Sequence, residues 1–243
     1  MRAYWDDGAR RNAAWYVDTT LSYEEPDMVR FLAGGQHIVA ELFDRVPVEP
    51  AGRGLAVEIG SGLGRVCLAL ADRFERVIGV DISPEMVRRA SELVRDPRVT
   101  FQIGDGLGLG GIEDACANLV LSFTVFQHIP RPAIVHRYLT EAGRVLRPGG
   151  LLVFQWNNIA GARRWAARRA ILSALQRTGI HSERYRRHAP EFLGSRIPLA
   201  PLERTLEQSG LKLRGTTGLG TLFAQAWAVR RADHDGVTRE RSG

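Results

Sequence analysis

The sequence predicts an open α/β sheet, and three observations carry that prediction. Short, almost wholly apolar runs of five or six residues recur between residues 55 and 155, as strands covered on both faces require. A helical pattern separates each run from the next, which is the rhythm of βαβ units with right-handed crossovers. Most of these runs end in glycine or an acidic residue, so the chemistry gathers where an open sheet binds ligands, beyond the carboxyl ends of its strands.

The elements follow in order. Residues 1–26 carry Tyr4, Trp5, Trp15 and Tyr16 among charges, then Tyr23 ahead of Pro26. Asp27 to Val46 has the apolar spacing of a helix (Val29, Leu32, Ile38, Val39, Leu42, Phe43), with a break expected at Gly34-Gly35. A Pro- and Gly-rich loop leads to the first strand, Leu55–Ile59, which ends in Gly60-Ser-Gly-Leu-Gly64 and a helix from about Val66. The second strand, Arg76–Val80, closes on Asp81. Ser83-Pro84-Glu85 then starts a helix, because Ser caps, Pro suits the first position and Glu the first turn. Val99–Ile103 is the third strand, ending in Gly104-Asp105-Gly106, and Asn118–Phe123 the fourth. A helix around Ala133–Leu146 stops at Arg147-Pro-Gly-Gly150, and Leu151–Gln155 is the fifth strand. A helix over Pro201–Ser209 precedes two last strands, Lys212–Gly215 and Leu222–Val229. The domain organisation read from this is an N-terminal segment (1–50), a core (51–156), an inserted basic segment (157–200), the remainder of the core (201–231) and a polar tail (232–243) expected to be disordered.

Composition narrows the function classes. With 243 residues, 44% hydrophobic and 25% charged, the chain needs neither disulfides nor a metal to build a core. Cys67 and Cys116 show no metal-ligand spacing, and no metal is expected. No run approaches a membrane span of about 18 residues and the N-terminus is polar, so the expected location is the cytoplasm and no membrane partner is expected. The net charge of +6 is concentrated: residues 160–197 hold nine Arg against Glu183 and Glu191. Arg163, Arg164, Arg168 and Arg169 recur at helical spacing, and Arg184, Arg186, Arg187 and His188 surround Tyr185. A solvated face accounts for such charge, as does a surface for an anionic substrate, an acidic carrier protein or RNA. No nucleic-acid readout module accompanies it.

Candidate site residues lie at the strand ends. Glu58 precedes Gly60-x-Gly62-x-Gly64, a turn that lets a ligand approach main-chain amides at a helix start. Asp81, 21 residues after Gly60, can accept both hydroxyls of a ribose or simply cap the next helix. Asp105 sits on a glycine-flanked turn aimed at the same crevice, where it is alternatively a solvated turn aspartate. The loop departs from GxGxxG, holding Arg65 where the third glycine belongs, and three acids favour a cation over a pyrophosphate.

Val57-Glu-Ile-Gly-Ser-Gly-Leu-Gly-Arg65, Val77-Ile-Gly-Val-Asp-Ile-Ser83, Ile103-Gly-Asp-Gly106, Asn118-Leu-Val-Leu-Ser122 and Leu146-Arg-Pro-Gly-Gly150 resemble the successive motifs of class I S-adenosylmethionine-dependent methyltransferases. The resemblance spans about residues 55–155. It implies a doubly wound, seven-stranded, mostly parallel Rossmann-like sheet with an antiparallel last strand, an N-terminal helical lid and an inserted substrate cap. It implies S-adenosylmethionine as cofactor, its amino-acid end on the glycine loop, its ribose on Asp81 and its adenine amino group near Asp105. The cofactor-binding set expected from these motifs is Tyr16, Glu58, Gly60, Gly62, Arg65, Asp81, Ile82, Met86, Gly104, Asp105, Gly106, Ser122, Phe123 and Gln127. His128, beside the transferable methyl in Ser122-Phe-Thr-Val-Phe-Gln-His-Ile-Pro130, is the candidate general base; a local packing role is its alternative. Tyr4 and Tyr16 are the N-terminal aromatics expected to touch the cofactor, unless the segment's rings serve only as anchors. The expected reaction is methyl transfer to an O, N or C atom of a small molecule in specialised metabolism, the acceptor anionic or carrier-bound if the Arg-rich segment binds it. RNA methylation and a non-catalytic cofactor-binding protein are the alternatives, and the sequence leaves the oligomeric state open.

Overall fold

The computed structural model describes residues 1–160 and 194–232, together with residues 167, 170 and 171. Its elements run α1 (Arg2–Val17), α2 (Met28–Arg45), β1 (Leu55–Ile59), α3 (Arg65–Leu70), β2 (Arg76–Asp81), α4 (Pro84–Leu93), β3 (Val99–Ile103), β4 (Ala117–Ser122), a 3₁₀ turn (Phe126–His128), α5 (Pro132–Val145) and β5 (Leu146–Trp156). After the inserted segment come a helix labelled α6 here (Leu199–Gln208), β6 (Leu211–Thr217) and β7 (Ala224–Arg230).

The seven strands form one sheet in the order β3-β2-β1-β4-β5-β7-β6. Six strands run in the same direction, and β7 alone enters antiparallel, between β5 and β6. The order reverses between β1 and β4, which opens the crevice where such sheets bind ligands. Strand pleating sends alternate residues to opposite faces. Val57, Ile59, Val120, Leu152 and Phe154 pack under α5 and α6 through Val135, Leu139, Leu202 and Leu206. Ala56, Leu119, Leu121 and Val153 pack under α2 and α3 through Val39, Leu42, Val66 and Leu70. Because both faces are covered, β1 and β4 are buried along their whole length, and this is why their sequences do not alternate.

Two local expectations are corrected. Gly34-Gly35 does not break α2, which runs unbroken over 18 residues. Gly35 is instead a contact: a Cβ there would stand 2.1 Å from the carbonyl oxygen of Arg65, so its absence lets α2 lie against the start of α3. Nor does Arg147-Pro-Gly-Gly150 stop ahead of a separate strand. It is the irregular first part of β5, where pairing with β4 shifts between Ala117 and Leu119. The polar tail and most of the Arg-rich segment, including both of its arginine clusters, lie outside the described residues.

The N-terminal segment forms its own small cluster. Ala9, Ala13, Ala14 and Tyr16 pack with Leu21, Phe31, Leu63 and Met86. Helix α1 is kinked at Asn12, which has φ −161° and ψ 86°. The Asn12 side chain accepts from the N–H of Trp15 at 3.0 Å and so caps the second helical piece.

Candidate active site

Where the strand order reverses, a cavity of about 480 Å³ opens at the carboxyl edge of the sheet. Its floor is built by the turn after β1. Gly60 and Gly62 adopt φ of 76° and 52°, a region that other residues avoid. A Cβ on Gly60 would stand 2.3 Å from Val125 Cγ2, and one on Gly62 2.8 Å from Val17 Cγ2. The turn is thus a cradle, closed in from α1 on one side and from the loop after β4 on the other.

Asp81, at the end of β2, is buried and lines the cavity. One carboxylate oxygen accepts the N–H of Gly62 at 2.9 Å and the other the N–H of Ser83 at 2.9 Å. Burial pushes its carboxyl up, against the pull of those backbone donors. Capping of α4 falls to Ser83, whose hydroxyl accepts from Met86 N–H at 3.1 Å. Arg65 reaches the cavity from the first turn of α3, stacks over the Phe31 ring at 4.9 Å and pairs with Asp18 at 2.6 Å.

The other end of the cavity is aromatic and apolar. Trp5, Thr124, Val125, Gln127, His128 and Ile129 line it, with Tyr138 from α5 and Leu222 and Phe223 from the hairpin between β6 and β7. His128 lies on the 3₁₀ turn with its ring edge-on to Trp5, centroids 5.5 Å apart. Thr124 holds φ 55°, and its N–H donates to the side-chain oxygen of Gln155 at 3.3 Å. Strained backbone of that kind costs on the order of 1–3 kcal/mol and persists where the surroundings dictate it. The inserted segment returns against this end. Ser195 donates its hydroxyl to the Ile129 carbonyl at 2.9 Å, and Arg196 donates to Ile159 at 2.7 Å.

The structure brings Tyr16, Gly60, Gly62, Arg65, Asp81, Ile82, Met86, Gln127 and His128 to the cavity wall. It does not bring Glu58, Gly104, Asp105, Gly106, Ser122 or Phe123 there. Glu58 lies beneath the cradle, 3% exposed, and accepts the thiol hydrogen of Cys67 at 2.9 Å. Burial pushes its carboxyl up to about 8, so it is largely neutral at pH 7 and lends the cavity little negative charge. Asp105 is exposed, and one of its oxygens accepts the N–H groups of Leu107 and Gly108, which holds it in its own turn. Ser122 is fully buried and Phe123 packs toward the α2–α3 side of the sheet. Of the three acids Asp81 alone lines the cavity, while Asp105 joins it in acting on the Tyr138 hydroxyl of the wall. Among the N-terminal aromatics, Trp5 and Tyr16 line the cavity and Tyr4 does not; Tyr4 packs edge-on against both.

Asp18, Thr124 and Tyr138 were not legible as site residues. Asp18 sits just past a helix end, Thr124 inside a mixed apolar stretch, and Tyr138 reads as one more apolar position on α5.

The charged side chains on the wall test which nucleoside fits. Among the described residues they are Asp18, Asp81 and Arg65, and Arg65 is already paired. Among the described residues a pyrophosphate finds no unpaired guanidinium or lysine on this wall, whereas a positively charged, phosphate-free nucleoside meets the Asp81 carboxylate and an apolar wall. Sheet order, glycine cradle and strand-end acid are similar to those of class I S-adenosylmethionine-dependent methyltransferase domains. Residues 57–154 match the family model described as a methyltransferase domain.

A methyltransferase of Mycobacteroides abscessus is 32% identical over 124 residues, 49% of this chain and 46% of that protein. The 2-methyl-6-phytyl-1,4-hydroquinone methyltransferase of Synechocystis is 35% identical over 105 residues, covering 42% of this chain and 31% of that protein. The chain thus spans about half or less of the curated relatives it matches. In fold it is similar to the magnesium protoporphyrin IX methyltransferase of Synechocystis, solved with bound S-adenosylhomocysteine. The TM-score is 0.59 at 18% identity, covering 94% of this chain and 97% of that one. Among the described residues no helix is long and apolar enough to cross a membrane.

Proposed function

We propose that this protein transfers a methyl group from S-adenosylmethionine to a nucleophilic O, N or C atom of a small molecule. The observation that carries the proposal is the continuity of one cavity, from the glycine cradle and Asp81 at one end to His128 and an aromatic wall at the other. Relatives named for hydroquinone and for trans-aconitate methylation support a small acceptor. The cradle amides suit the amino-acid end of the cofactor, Asp81 the ribose, and Ile82 and Met86 the adenosine flank, with Arg65 holding Asp18 beside the cradle. When bound, the cofactor supplies a methyl carbon already activated by a cationic sulfur. What remains for the protein is to align an acceptor with that carbon and keep water out, so positioning provides most of the acceleration. Trp5, Ile129, Tyr138, Leu222 and Phe223 supply the apolar wall, and the imidazole of His128 can take the proton that a hydroxyl or ammonium acceptor releases.

Incubation with methyl-labelled cofactor and two acceptor pools, phenols with polycarboxylic acids and bulk RNA, tests this. Label in the small-molecule pool is expected; label confined to RNA overturns the proposal. With an active acceptor in hand, His128→Ala is expected to lower kcat by about 100-fold or more, the range of general-base contributions, while binding of S-adenosylhomocysteine is kept. An unchanged kcat removes His128 as the base.

A further inference from the structure

Helix α1 contributes both of its ends to the wall of the crevice, and a buried carboxylate fastens it. Met1, Trp5, Tyr16, Val17, Asp18 and Thr19 all line the cavity. The helix is tied down at three places. Arg2 donates to the carbonyl of Gly104 at 2.9 Å beyond β3. Asp18 pairs with Arg65 beside the cradle. Between them lies Asp6, an acid on an otherwise apolar inner face.

Asp6 is 9% exposed, and one of its oxygens accepts from both the Ser83 hydroxyl, at 2.8 Å, and the Glu85 N–H, at 3.0 Å. Both donors belong to the first turn of α4. Its other oxygen pairs with Arg10 at 2.6 Å. A carboxylate from α1 thus binds the positive end of α4's backbone dipole, 77 residues away in sequence. The loop residue it grips, Ser83, is also the one whose N–H is held by Asp81 at 2.9 Å. Asp6, Ser83 and Asp81 form a continuous chain from the covering helix to the carboxylate assigned to the ribose.

The geometry points to Asp6 as a latch: it fastens α1 shut over the cofactor and couples that closure, through Ser83, to the occupied state of Asp81. This rests on the methyltransferase reading for the identity of the ligand, but the latch itself is a property of the protein alone. Trp5 lines the cavity one residue from Asp6, so moving this part of the wall aside requires Asp6 to part from α4. Asn12, where the helix is already interrupted, is the point at which the first helical piece can swing. Asp6 is accordingly a positioning residue: it governs how long the cofactor stays and touches no reacting atom.

Two measurements separate the latch from the cofactor assignment. The first is hydrogen exchange of the cofactor-free wild type, Asp6→Asn and Asp6→Ala. Faster exchange confined to residues 2–11 and the Glu85 amide that Asp6 holds is expected, in the order alanine, asparagine, wild type, with the sheet amides unchanged. Equal exchange in all three, or acceleration spread over the sheet, overturns the latch. The second is dissociation of S-adenosylhomocysteine, followed by the fluorescence of Trp5 and Trp15. Asp6→Ala is expected to release it about tenfold faster, the low end for losing hydrogen bonds to a charged group, and Asp6→Asn by an intermediate factor. Unchanged release with altered exchange overturns the coupling to the ligand. Absence of binding by the wild type overturns the cofactor reading itself and leaves the exchange result standing as the test of the latch.

Discussion

Asp81→Ala is expected to weaken S-adenosylhomocysteine binding by at least about 100-fold, since two hydrogen bonds to a charged acceptor are worth ~1.5–3 kcal/mol each. The side chain is buried at the cavity wall, and its two oxygens already accept from Gly62 and Ser83. Each oxygen keeps room for a second donor, because a carboxylate offers about four lone-pair sites. The same substitution leaves two backbone N–H groups without their partner, so the variant is also expected to unfold more easily in the absence of ligand. Titration calorimetry separates the two effects: the affinity loss is read on protein that is still folded, and Asp81→Asn, which keeps one acceptor oxygen, should fall between. Wild-type affinity in a folded Asp81→Ala protein would remove the ribose assignment.

Glu58→Gln is expected to stabilise the protein at pH 8 and to do little at pH 5. The Glu58 carboxyl sits at about 8 in the folded chain against an ordinary 4.5, because burial outweighs the Cys67 thiol and the nearby Arg65. Between those two values the unfolded chain has released the proton while the folded chain still holds it. Folding is then opposed by deprotonation, and stability falls as pH rises through that window, by up to a few kcal/mol. Glutamine keeps the oxygen that accepts from Cys67 and cannot ionise. Burial also raises Asp81, which contributes a slope of the same sign, so the comparison is between wild type and variant at each pH. Urea unfolding at pH 5 and pH 8 is the measurement; parallel loss of stability in both proteins contradicts the account of Glu58.

What the sequence made legible follows from period and punctuation. Six of the seven strands were readable to within about two residues because buried strands are short apolar runs bounded by Gly and Asp; β5 starts five residues ahead of its apolar run, at Leu146. Ser83 announced its helix because a capping hydroxyl followed by Pro and Glu has few other uses. Long-range contact was less readable. Gly34-Gly35 looks like a break in one dimension, and only the proximity of Arg65 shows it to be a packing surface. The same holds for the three strand-end acids. Position at a strand's end places a residue near the crevice but does not fix where its side chain goes, and Glu58 turns under the cradle while Asp105 turns into its own loop. Asp6 carried no local signal at all, because its partners are on another helix. The aromatic content of the N-terminus left a cover and an anchor equally open; which ring faces the cavity depended on the turn of α1, and Trp5 rather than Tyr4 accompanies Tyr16.

The most direct test of the central claim is thermal unfolding of the wild type with S-adenosylhomocysteine, S-adenosylmethionine, NAD and NADP in parallel. At about 100 times its dissociation constant a ligand adds ~2.7 kcal/mol, which for a chain of this size raises Tm by about 5–10 °C. The first two compounds are expected to produce that rise and the two pyrophosphates none. A rise with NAD or NADP and none with S-adenosylhomocysteine would contradict a crevice built for a cationic, phosphate-free nucleoside.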